Sequence, residues 1–421
     1  MHSNGEALRA VSFRCSLLAP GCEPLVEPPD PPPAASFPDG WEDGGEVVCA
    51  APYVGLDRLV ESGAERGLTV ATFNLHFGPI FVLTHDIDAD GDVDILHFNG
   101  TERLVPFMND GLGFFTPGQP IDPPPFGPSF LAIGLADDDG DGLPDLYLAS
   151  TPHLWRYANR GGGLFDPPTS LWEEPMPDQH RYPALSIADA DGDGDLDVAM
   201  FEHQLDTGPP GDDDDSGPME FEGTRDVMLR FDGTELVEAI DLVDLENDGW
   251  LDIVQASGPL PDGPGAAQAW PDIYWQGQPD GTFEDVTTET GFGSLAENYG
   301  LATADFDGDG FLDVVRVAPG VPPSLLLNRC GAGSWLDFEL IGLPANREAF
   351  GARIEVTSGE VTHLREMHSA RGQAQSPSRL HFGLGDVDTV GPVRIVWPDG
   401  TVSEAARVPV NRRVFVTHPW L

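Results

Sequence analysis

An acidic nine-residue pattern recurs five times along the chain, always in the same register. Each copy has a carboxylate at positions 1, 3, 5 and 9 and a glycine at position 6, and the copies begin at Asp86, Asp137, Asp189, Asp244 and Asp305. Two carboxylates about 5 Å apart repel each other by roughly 3 kcal/mol at an effective dielectric constant near 20. Because each copy contains several such pairs, we expect it to be loose without a cation and to order around one. The copies are called loops 1 to 5 below.

The pattern matches the first nine residues of a calcium-binding loop, in which oxygens at alternate positions hold the ion and glycine allows a sharp turn. Ordinary Asp-Gly turns are the alternative for a single copy, but five copies in one register favour Ca²⁺ as the cofactor. By analogy with the EF-hand loop, position 7 would contribute its backbone carbonyl. The predicted metal ligands are Asp86, Asp88, Asp90, Asp92 and Asp94 in loop 1; Asp137, Asp139, Asp141, Leu143 and Asp145 in loop 2; Asp189, Asp191, Asp193, Asp195 and Asp197 in loop 3; Asp244, Glu246, Asp248, Trp250 and Asp252 in loop 4; and Asp305, Asp307, Asp309, Phe311 and Asp313 in loop 5.

The flanks of the loops differ from those of an EF-hand. An EF-hand has a bidentate glutamate at position 12 and a helix on either side. The segments around these loops, such as residues 81–84 and 314–317, have the β-branched and apolar character of strands. Each loop is therefore predicted to join two strands, with the aspartate at position 9 closing the metal site. The residues found at position 12 are His97, Leu148, Met200, Gln255 and Arg316.

The spacing of the loops indicates a repeat architecture. Their first aspartates lie 51, 52, 55 and 61 residues apart, and a unit of this size with four strands is a propeller blade. The predicted fold class is all-β: a calcium-binding β-propeller with five visible blades, or more, followed by a small β-rich C-terminal domain. Residues 54–60 resemble a fourth strand that would complete the last blade beside a third strand near residues 324–327. Residues 206–224 are predicted to be a surface insertion.

The distribution of charge predicts a domain boundary. The chain has a net charge of −50, and residues 1–330 contribute −49 of it, whereas residues 331–421 carry ten acids and nine arginines. Such a change in composition separates domains, and the C-terminal part alternates apolar and polar residues like a small β-domain. We expect an N-terminal segment with a proline-rich acidic linker (1–49), the repeat propeller (50–330) and the C-terminal domain (331–421).

Both predicted domains resemble known families. At the acidic loops, over roughly residues 50–328, the chain resembles the FG-GAP/VCBS repeat family, whose members build calcium-loaded β-propellers. The C-terminal domain resembles the ASPIC/UnbV domain, which follows such propellers in bacterial proteins and in cartilage acidic protein. This family has no agreed biochemical activity, so the resemblance implies an architecture. The residues that carry the second resemblance are Trp335, Leu336, Asn346, Arg347, Gly351, Ala352, Gln375, Leu380, His381, Phe382, Gly383, Leu384, Gly385, Trp397, Pro398, Asp399, Gly400 and Asn411.

Calcium and cysteine usage indicate the compartment. Extracellular calcium modules bind Ca²⁺ with dissociation constants of about 10⁻⁴ to 10⁻³ M, and a resting cytosol would leave such sites empty. We therefore expect an extracellular, cell-surface or periplasmic protein. A weak lipoprotein-type cleavage pattern before Cys22 adds the hypothesis of a lipid anchor there. The four cysteines allow three complete pairings. Cys49 and Cys330 flank the propeller, so ring closure could join them in a disulfide.

The sequence favours binding over catalysis. It contains no G-x-S-x-G, H-E-x-x-H, P-loop or C-x-x-C pattern, so we predict that the protein is not an enzyme. The acidic charge excludes nucleic acid as a partner, and no run of 18 apolar residues predicts a transmembrane helix. The leading hypothesis is a secreted or surface-attached interaction or adhesion protein, rigidified by calcium, with a protein or glycan ligand at the propeller face. The alternative is an enzyme or UnbV-like biosynthetic accessory protein that uses the central cleft.

Overall fold

The computed structural model describes residues 37–70, 81–98, 103–124, 130–137, 139–150, 153–173, 180–188, 197–204, 237–257, 271–294, 296, 298–344, 346–368 and 374–421. Within these ranges the chain is almost entirely β-structure, with a single short helix, α1 (Thr287–Thr290). The N-terminal part contributes strands β1 (Trp41–Glu46) and β2 (Leu59–Glu61). The predicted insertion at residues 206–224 lies outside these ranges. The all-β fold class is confirmed.

Each acidic loop joins the first two strands of an antiparallel sheet, and these sheets are called blades 1 to 5. In every blade the aspartate at position 9 is the first residue of the second strand. Blade 1 contains β3 (Val82–His85), β4 (Asp94–Phe98), β5 (Leu104–Asn109) and β6 (Phe115–Pro117); blade 2 contains β7 (Phe130–Ala136), β8 (Asp145–Ser150), β9 (His153–Tyr157) and β10 (Thr169–Glu173); blade 3, as far as it is described, contains β11 (His180–Ala188) and β12 (Asp197–Gln204); blade 4 contains β13 (Val237–Val243), β14 (Asp252–Ser257), β15 (Ile273–Gly277) and β16 (Phe283–Asp285); and blade 5 contains β17 (Gly300–Ala304), β18 (Asp313–Val317) and β19 (Ser324–Asn328).

The blades are arranged in a propeller-like manner. The first strands of neighbouring blades contact each other: β13 contacts β17, β17 contacts β3, β3 contacts β7 and β7 contacts β11. Burial follows from this order, since β17 and β18 are buried along their whole length whereas β16, a fourth strand, is exposed. A strand packed between two neighbouring sheets is buried on both faces, so its sequence is a continuous apolar run. This explains the consecutive apolar residues Val82 and Leu83 in β3 and similar runs in the other first strands.

Blade 5 is built from both ends of the repeat region. Strand β2 pairs antiparallel with β19, with Val60 opposite Leu327, and supplies the fourth strand of the blade. A disulfide joins Cys49 to Cys330, whose Cα atoms are 5.9 Å apart. The expected completion of the last blade by residues before loop 1 is therefore confirmed, and so is the cysteine pairing.

The C-terminal domain contains two larger sheets and a small one. Its strands are β20 (Ser334–Ile341), β21 (Arg353–Ser358), β22 (Val361–Glu366), β23 (Ala374–Gln375), β24 (Arg379–Gly385), β25 (Thr389–Val390), β26 (Val393–Val396), β27 (Val402–Ala405), β28 (Val408–Pro409) and β29 (Arg412–Thr417). The sheets have the strand orders β1-β29-β20-β24, β22-β21-β26-β27 and β25-β28. Their inward-facing residues form a core around Trp397, Phe350 and Phe382, and this core continues into Tyr147 and Ala149 of blade 2.

One N-terminal segment belongs to the C-terminal domain. Trp41–Glu46, part of the predicted N-terminal segment with its proline-rich acidic linker, forms the edge strand β1 and pairs with β29. The segment is held there because Trp41 is buried, with its ring centroid 6.3 Å from that of Phe338. Residues 36–421 form one compact unit, so the domain boundary near residue 330 stays a prediction.

A segment of the C-terminal domain enters the centre of the blades. Strand β23 pairs in parallel with the inner edge of β3. The side-chain amide of Gln375 donates to the carbonyl of Leu135 (3.0 Å) and accepts from its N–H (2.8 Å), and the hydroxyl of Thr84 donates to the Gln375 carbonyl (2.8 Å). Ser376 Oγ lies 3.2 Å from Asp241 Oδ2 on β13. The inner strands of blades 1, 2 and 4 thus hold this segment.

Removal of the disulfide is expected to destabilise the protein measurably. The bridge closes a loop with a sequence separation of 281 residues, for which the chain-entropy relation gives about 6 kcal/mol. The double variant Cys49→Ser/Cys330→Ser should therefore unfold at clearly lower denaturant concentration than the wild type in calcium-saturated buffer. An unchanged midpoint would show that pairing of β2 with β19 alone holds blade 5 together.

Candidate metal centres

The aspartate at position 1 organises each described loop. In loop 5, the backbone N–H groups of Asp309 and Gly310 donate to Asp305 Oδ1 (3.1 Å) and Oδ2 (3.0 Å). Loops 1, 2 and 4 repeat the same two hydrogen bonds at positions 5 and 6. The glycine at position 6 has a left-handed backbone in all four, for example φ of 88° at Gly310, a conformation that glycine adopts without steric cost. The sharp turn expected there is present.

The aspartate at position 9 ties the loop to the rest of its blade. Asp313 is buried, and its two oxygens accept the N–H of Phe306 at position 2 (3.0 Å) and of Asn328 at the end of the third strand (2.7 Å). Asp94 and Asp252 make the corresponding pairs of hydrogen bonds. These carboxylates therefore hold the loop in shape whether or not they also bind an ion.

Position 3 retains free acceptor capacity. The aspartate at position 5 accepts the N–H of position 7, as Asp309 does from Phe311 at 2.9 Å. At position 3, Asp88 Oδ1, Glu246 Oε2 and Asp307 Oδ1 are buried and have no hydrogen-bond partner. A buried carboxylate oxygen without a partner is costly. A hard divalent cation would supply what these oxygens lack, so the residues fit the predicted metal.

Four of the five predicted sites are brought together as groups of carboxylates. Their oxygens lie within 4.8 Å of one another in the groups Asp86, Asp88 and Asp90; Asp137, Asp139 and Asp141; Asp244, Glu246 and Asp252; and Asp305, Asp307 and Asp313. Asp92 is not in the group of loop 1, and the carbonyl ligation by position 7 stays a prediction. In loop 3, Asp189, Asp191, Asp193 and Asp195 lie outside the described residues, and of Asp197 only its place at the start of β12 is described.

Burial makes the ion-free loops bind protons. It is the main cause that raises the pKa of Asp94 and Asp309 to about 8 and the pKa of Asp244 and Asp305 to about 7. Neighbouring carboxylates add to the effect, as the charge of Asp307 does on the pKa of Asp309. A divalent cation must displace these protons, so its affinity is expected to rise with pH.

Asparagines at the ends of the third strands connect neighbouring loops, a feature that sequence reasoning missed. The amide of Asn328 donates to the carbonyl of Leu312 in its own loop (3.0 Å) and to that of Leu245 in loop 4 (2.8 Å). Asn109 links loop 1 to loop 5 and Asn159 links loop 2 to loop 1 in the same way. Their constant place, 14 or 15 residues after position 9, is the signal that could have identified them.

The C-terminal domain lies directly on loops 1 and 5. The guanidinium groups of Arg379 and Arg413 donate to the carbonyl of Gly91 in loop 1 (2.8 and 3.1 Å). Trp335 packs against Gly310 of loop 5 so closely that a Cβ at this glycine would lie 2.0 Å from the indole. The glycine at position 6 therefore serves the domain contact as well as the turn.

Loops 2 and 4 also contact the C-terminal domain. In loop 4, His381 Nε2 lies 2.7 Å from Asn247 Oδ1, and the N–H of Gly385 donates to the Asn247 carbonyl (2.9 Å). A Cβ at Gly383 would lie 1.9 Å from Asp244 Oδ2. In loop 2, Glu348 accepts the N–H of Asp137 (2.7 Å). All four described loops thus meet the domain.

Comparison with protein families identifies the repeats and the C-terminal domain separately. The model of the FG-GAP-like repeat matches residues 86–148, 137–200 and 244–315. The model named ASPIC and UnbV matches residues 342–419. No curated protein matches the chain. Within the described ranges, none of the helical structure is long and apolar enough to cross a membrane.

Solved structures offer only distant similarity. An Agrocybe aegerita lectin, described as recognising non-reducing terminal N-acetylglucosamine, is 18% identical over 60% of this chain and 67% of its own, with a TM-score of 0.23. BBS1N in complex with ARL6DN is 10% identical over 81% of this chain and 97% of its own, with a TM-score of 0.25. The V. cholerae biofilm matrix protein Bap1 is 12% identical over 90% of this chain and 65% of its own, with a TM-score of 0.19. Similarity at this level assigns no ligand.

Stability without metal is expected to fall as the pH rises. Because the pKa values of the loop carboxylates are raised to as much as about 8, the folded chain binds more protons than the unfolded chain between about pH 4 and pH 8. Its free energy of unfolding therefore decreases through this window. Melting curves of metal-stripped protein should give a lower Tm at about pH 8 than at about pH 5, and added Ca²⁺ should remove most of the difference. A Tm that rises over this range in the metal-stripped protein would contradict the shifts.

Removal of one connecting asparagine is expected to weaken the contact between two blades. In Asn328→Ala, the buried carbonyl of Leu245 and the partly buried carbonyl of Leu312 lose their donor, which should lower the free energy of unfolding by about 1–3 kcal/mol. Urea unfolding in saturating Ca²⁺ measures the change. Thr282→Ala, at an exposed turn of blade 4, is the control and should change stability little. Equal effects of the two substitutions on stability would contradict the role of Asn328 in connecting two blades.

Proposed function

Because the chain combines FG-GAP-like repeats with a C-terminal ASPIC and UnbV domain, we propose that it is an interaction protein of the extracellular space or cell surface, in which Ca²⁺ stiffens the repeats and the domain docked on them. When bound, the ion supplies the positive charge that the loop carboxylates lack. The side chains at positions 1, 3, 5 and 9 hold it. The ligand of the assembled protein is a protein or a glycan.

The docking of the C-terminal domain on the metal loops carries this proposal. Four of the residues that give the domain its family likeness touch the loops, namely Trp335, His381, Gly383 and Gly385. Each contact depends on the shape of a loop and not on its sequence alone, since most of them involve backbone atoms or the space above a glycine. Ions that order the loops would therefore also order the domain interface.

The central segment argues against the enzyme alternative. An enzyme working in the central cleft would need that space for its substrate. Gln375 is fully buried there and pairs with both polar groups of the Leu135 backbone. A recognition surface does not need this space. We propose that the ligand binds at the end of the blades opposite to the acidic loops, where the second strands connect to the third.

An oxidising compartment is consistent with the disulfide. Cys49–Cys330 closes the repeat region, and such bridges persist in extracellular and periplasmic proteins. FG-GAP-like repeats are typical of extracellular or surface proteins. Secretion and a lipid anchor at Cys22 remain proposals, and Cys22 lies outside the described residues.

Calcium is expected to stabilise both the fold and the domain interface. One site filled at about 100 times its dissociation constant adds about 2.7 kcal/mol, so three filled sites should raise the Tm of a chain of this length by roughly 10 °C. Hydrogen exchange should show slower exchange of the Gly385 amide, which donates to loop 4, when Ca²⁺ is present. The amides of β26, inside the C-terminal domain, are the control and should change little.

The two readouts separate the claims. An unchanged Tm after addition of Ca²⁺ to metal-stripped protein would refute the proposed metal binding. A raised Tm with unchanged exchange at Gly385 would restrict calcium to the repeats and exclude its role at the interface.

A further inference from the structure

Loop 2 differs from the other described loops because an arginine of its own blade lies among its carboxylates. Arg156, on the third strand β9, has its Nη2 2.9 Å from Asp139 Oδ2 and also donates to Asp145 Oδ2. Asp139 and Asp145 occupy positions 3 and 9 of the loop. One guanidinium therefore joins two of the predicted metal ligands.

In blades 1, 4 and 5, where this place is described, it holds no cation. It lies three residues before the residue whose N–H donates to position 9, so the equivalents of Arg156 are Pro106, Tyr274 and Leu325 in blades 1, 4 and 5. Tyr274 is a neutral donor, with its hydroxyl 2.5 Å from Glu246 Oε1. Loop 4 additionally has Arg58, from outside its blade, at 4.0 Å from Glu246, which is too far for a hydrogen bond.

The partners of the carboxylates at positions 3 and 9 differ from loop to loop. In loops 4 and 5 the group of close carboxylates includes position 9, through Asp252 and Asp313. In loops 1 and 2 the group contains only positions 1, 3 and 5. Position 9 of loop 2, Asp145, is paired with Arg156, whereas position 9 of loop 1, Asp94, accepts two backbone N–H groups. The partnerless buried oxygens at position 3 occur in loops 1, 4 and 5, whereas position 3 of loop 2, Asp139, is exposed and accepts from Arg156.

A guanidinium has the properties needed to replace an ion in such a loop. It stays protonated at any physiological pH and presents several N–H donors in a rigid plane that suits carboxylates. Its charge compensates the loop, and the same charge repels an arriving cation at short range. The side chain also takes up ligand directions that calcium would need.

We propose that Arg156 is the resident cation of loop 2, so that this loop keeps its shape without a divalent ion while loops 1, 4 and 5 require one. This inference rests on the proposed binding of calcium to the loops. It makes the repeats non-equivalent: one of them is ordered before calcium arrives. That loop contacts the C-terminal domain through Asp137 and Glu348, so part of the domain interface persists without calcium.

Calcium stoichiometry of the full-length chain tests the inference. Equilibrium dialysis with metal analysis should show that Arg156→Leu, which places the residue of blade 5 at this position, binds one Ca²⁺ more than the wild type. In a titration, the affinity of the added site should be at least tenfold higher than any that loop 2 has in the wild type. Arg160→Leu, which removes an exposed arginine paired with Asp166, is the matched control and should bind as many ions as the wild type.

Each outcome decides between the two proposals. A wild type that binds no calcium refutes the proposed function itself. A wild type and an Arg156→Leu variant that bind the same number of ions with the same affinities overturn the role of Arg156 and leave the proposed function intact. Where Arg156→Leu does not fold, Arg156→Gln keeps a donor toward Asp139 without the charge and should show the same gain of one ion.

Discussion

The structure depends on how the negative charge of the acidic loops is compensated. Each described loop first uses backbone N–H groups, which donate to the carboxylates at positions 1 and 9, as Asp305 and Asp313 illustrate. These hydrogen bonds set the loop geometry but supply no full positive charge. The negative charge that is left without a partner lies mainly at position 3, where Asp307 has a buried oxygen that accepts no hydrogen bond. In loop 2 the carboxylate at this position, Asp139, is exposed and pairs with the guanidinium of Arg156.

The loops also connect neighbouring blades to each other and to the C-terminal domain. An asparagine such as Asn328 donates to the carbonyls of two successive loops, so a change in the conformation of one loop alters a hydrogen bond of the next. The C-terminal domain contacts all four described loops; for example, two arginines donate to Gly91 and an indole packs against Gly310. Because the contacts are made to backbone atoms and glycines, any ion that orders a loop acts on its neighbours and on the domain above it.

Much of the repeat region could be predicted because its constraints are local. Glycine at position 6 is required by the turn, and carboxylates at positions 1 and 9 lie close to the amides they accept. The role of Trp41 could not be predicted in this way, because its burial against Phe338 depends on a strand hundreds of residues away. The asparagines were equally hidden, since an Asn before a glycine-rich turn is also the ordinary chemistry of turns.

The sequence by itself determined the repeat, its acidic loops, the all-β class and the closure of blade 5 by residues near Val60, because each follows from spacing and alternation along the chain. Only the tertiary structure decided that Gln375 enters the centre of the blades, that the C-terminal domain covers the loops and that Arg156 lies among the carboxylates of loop 2. Such contacts join residues distant in sequence. Their existence depends on how blades and domain pack together, which a local pattern does not encode.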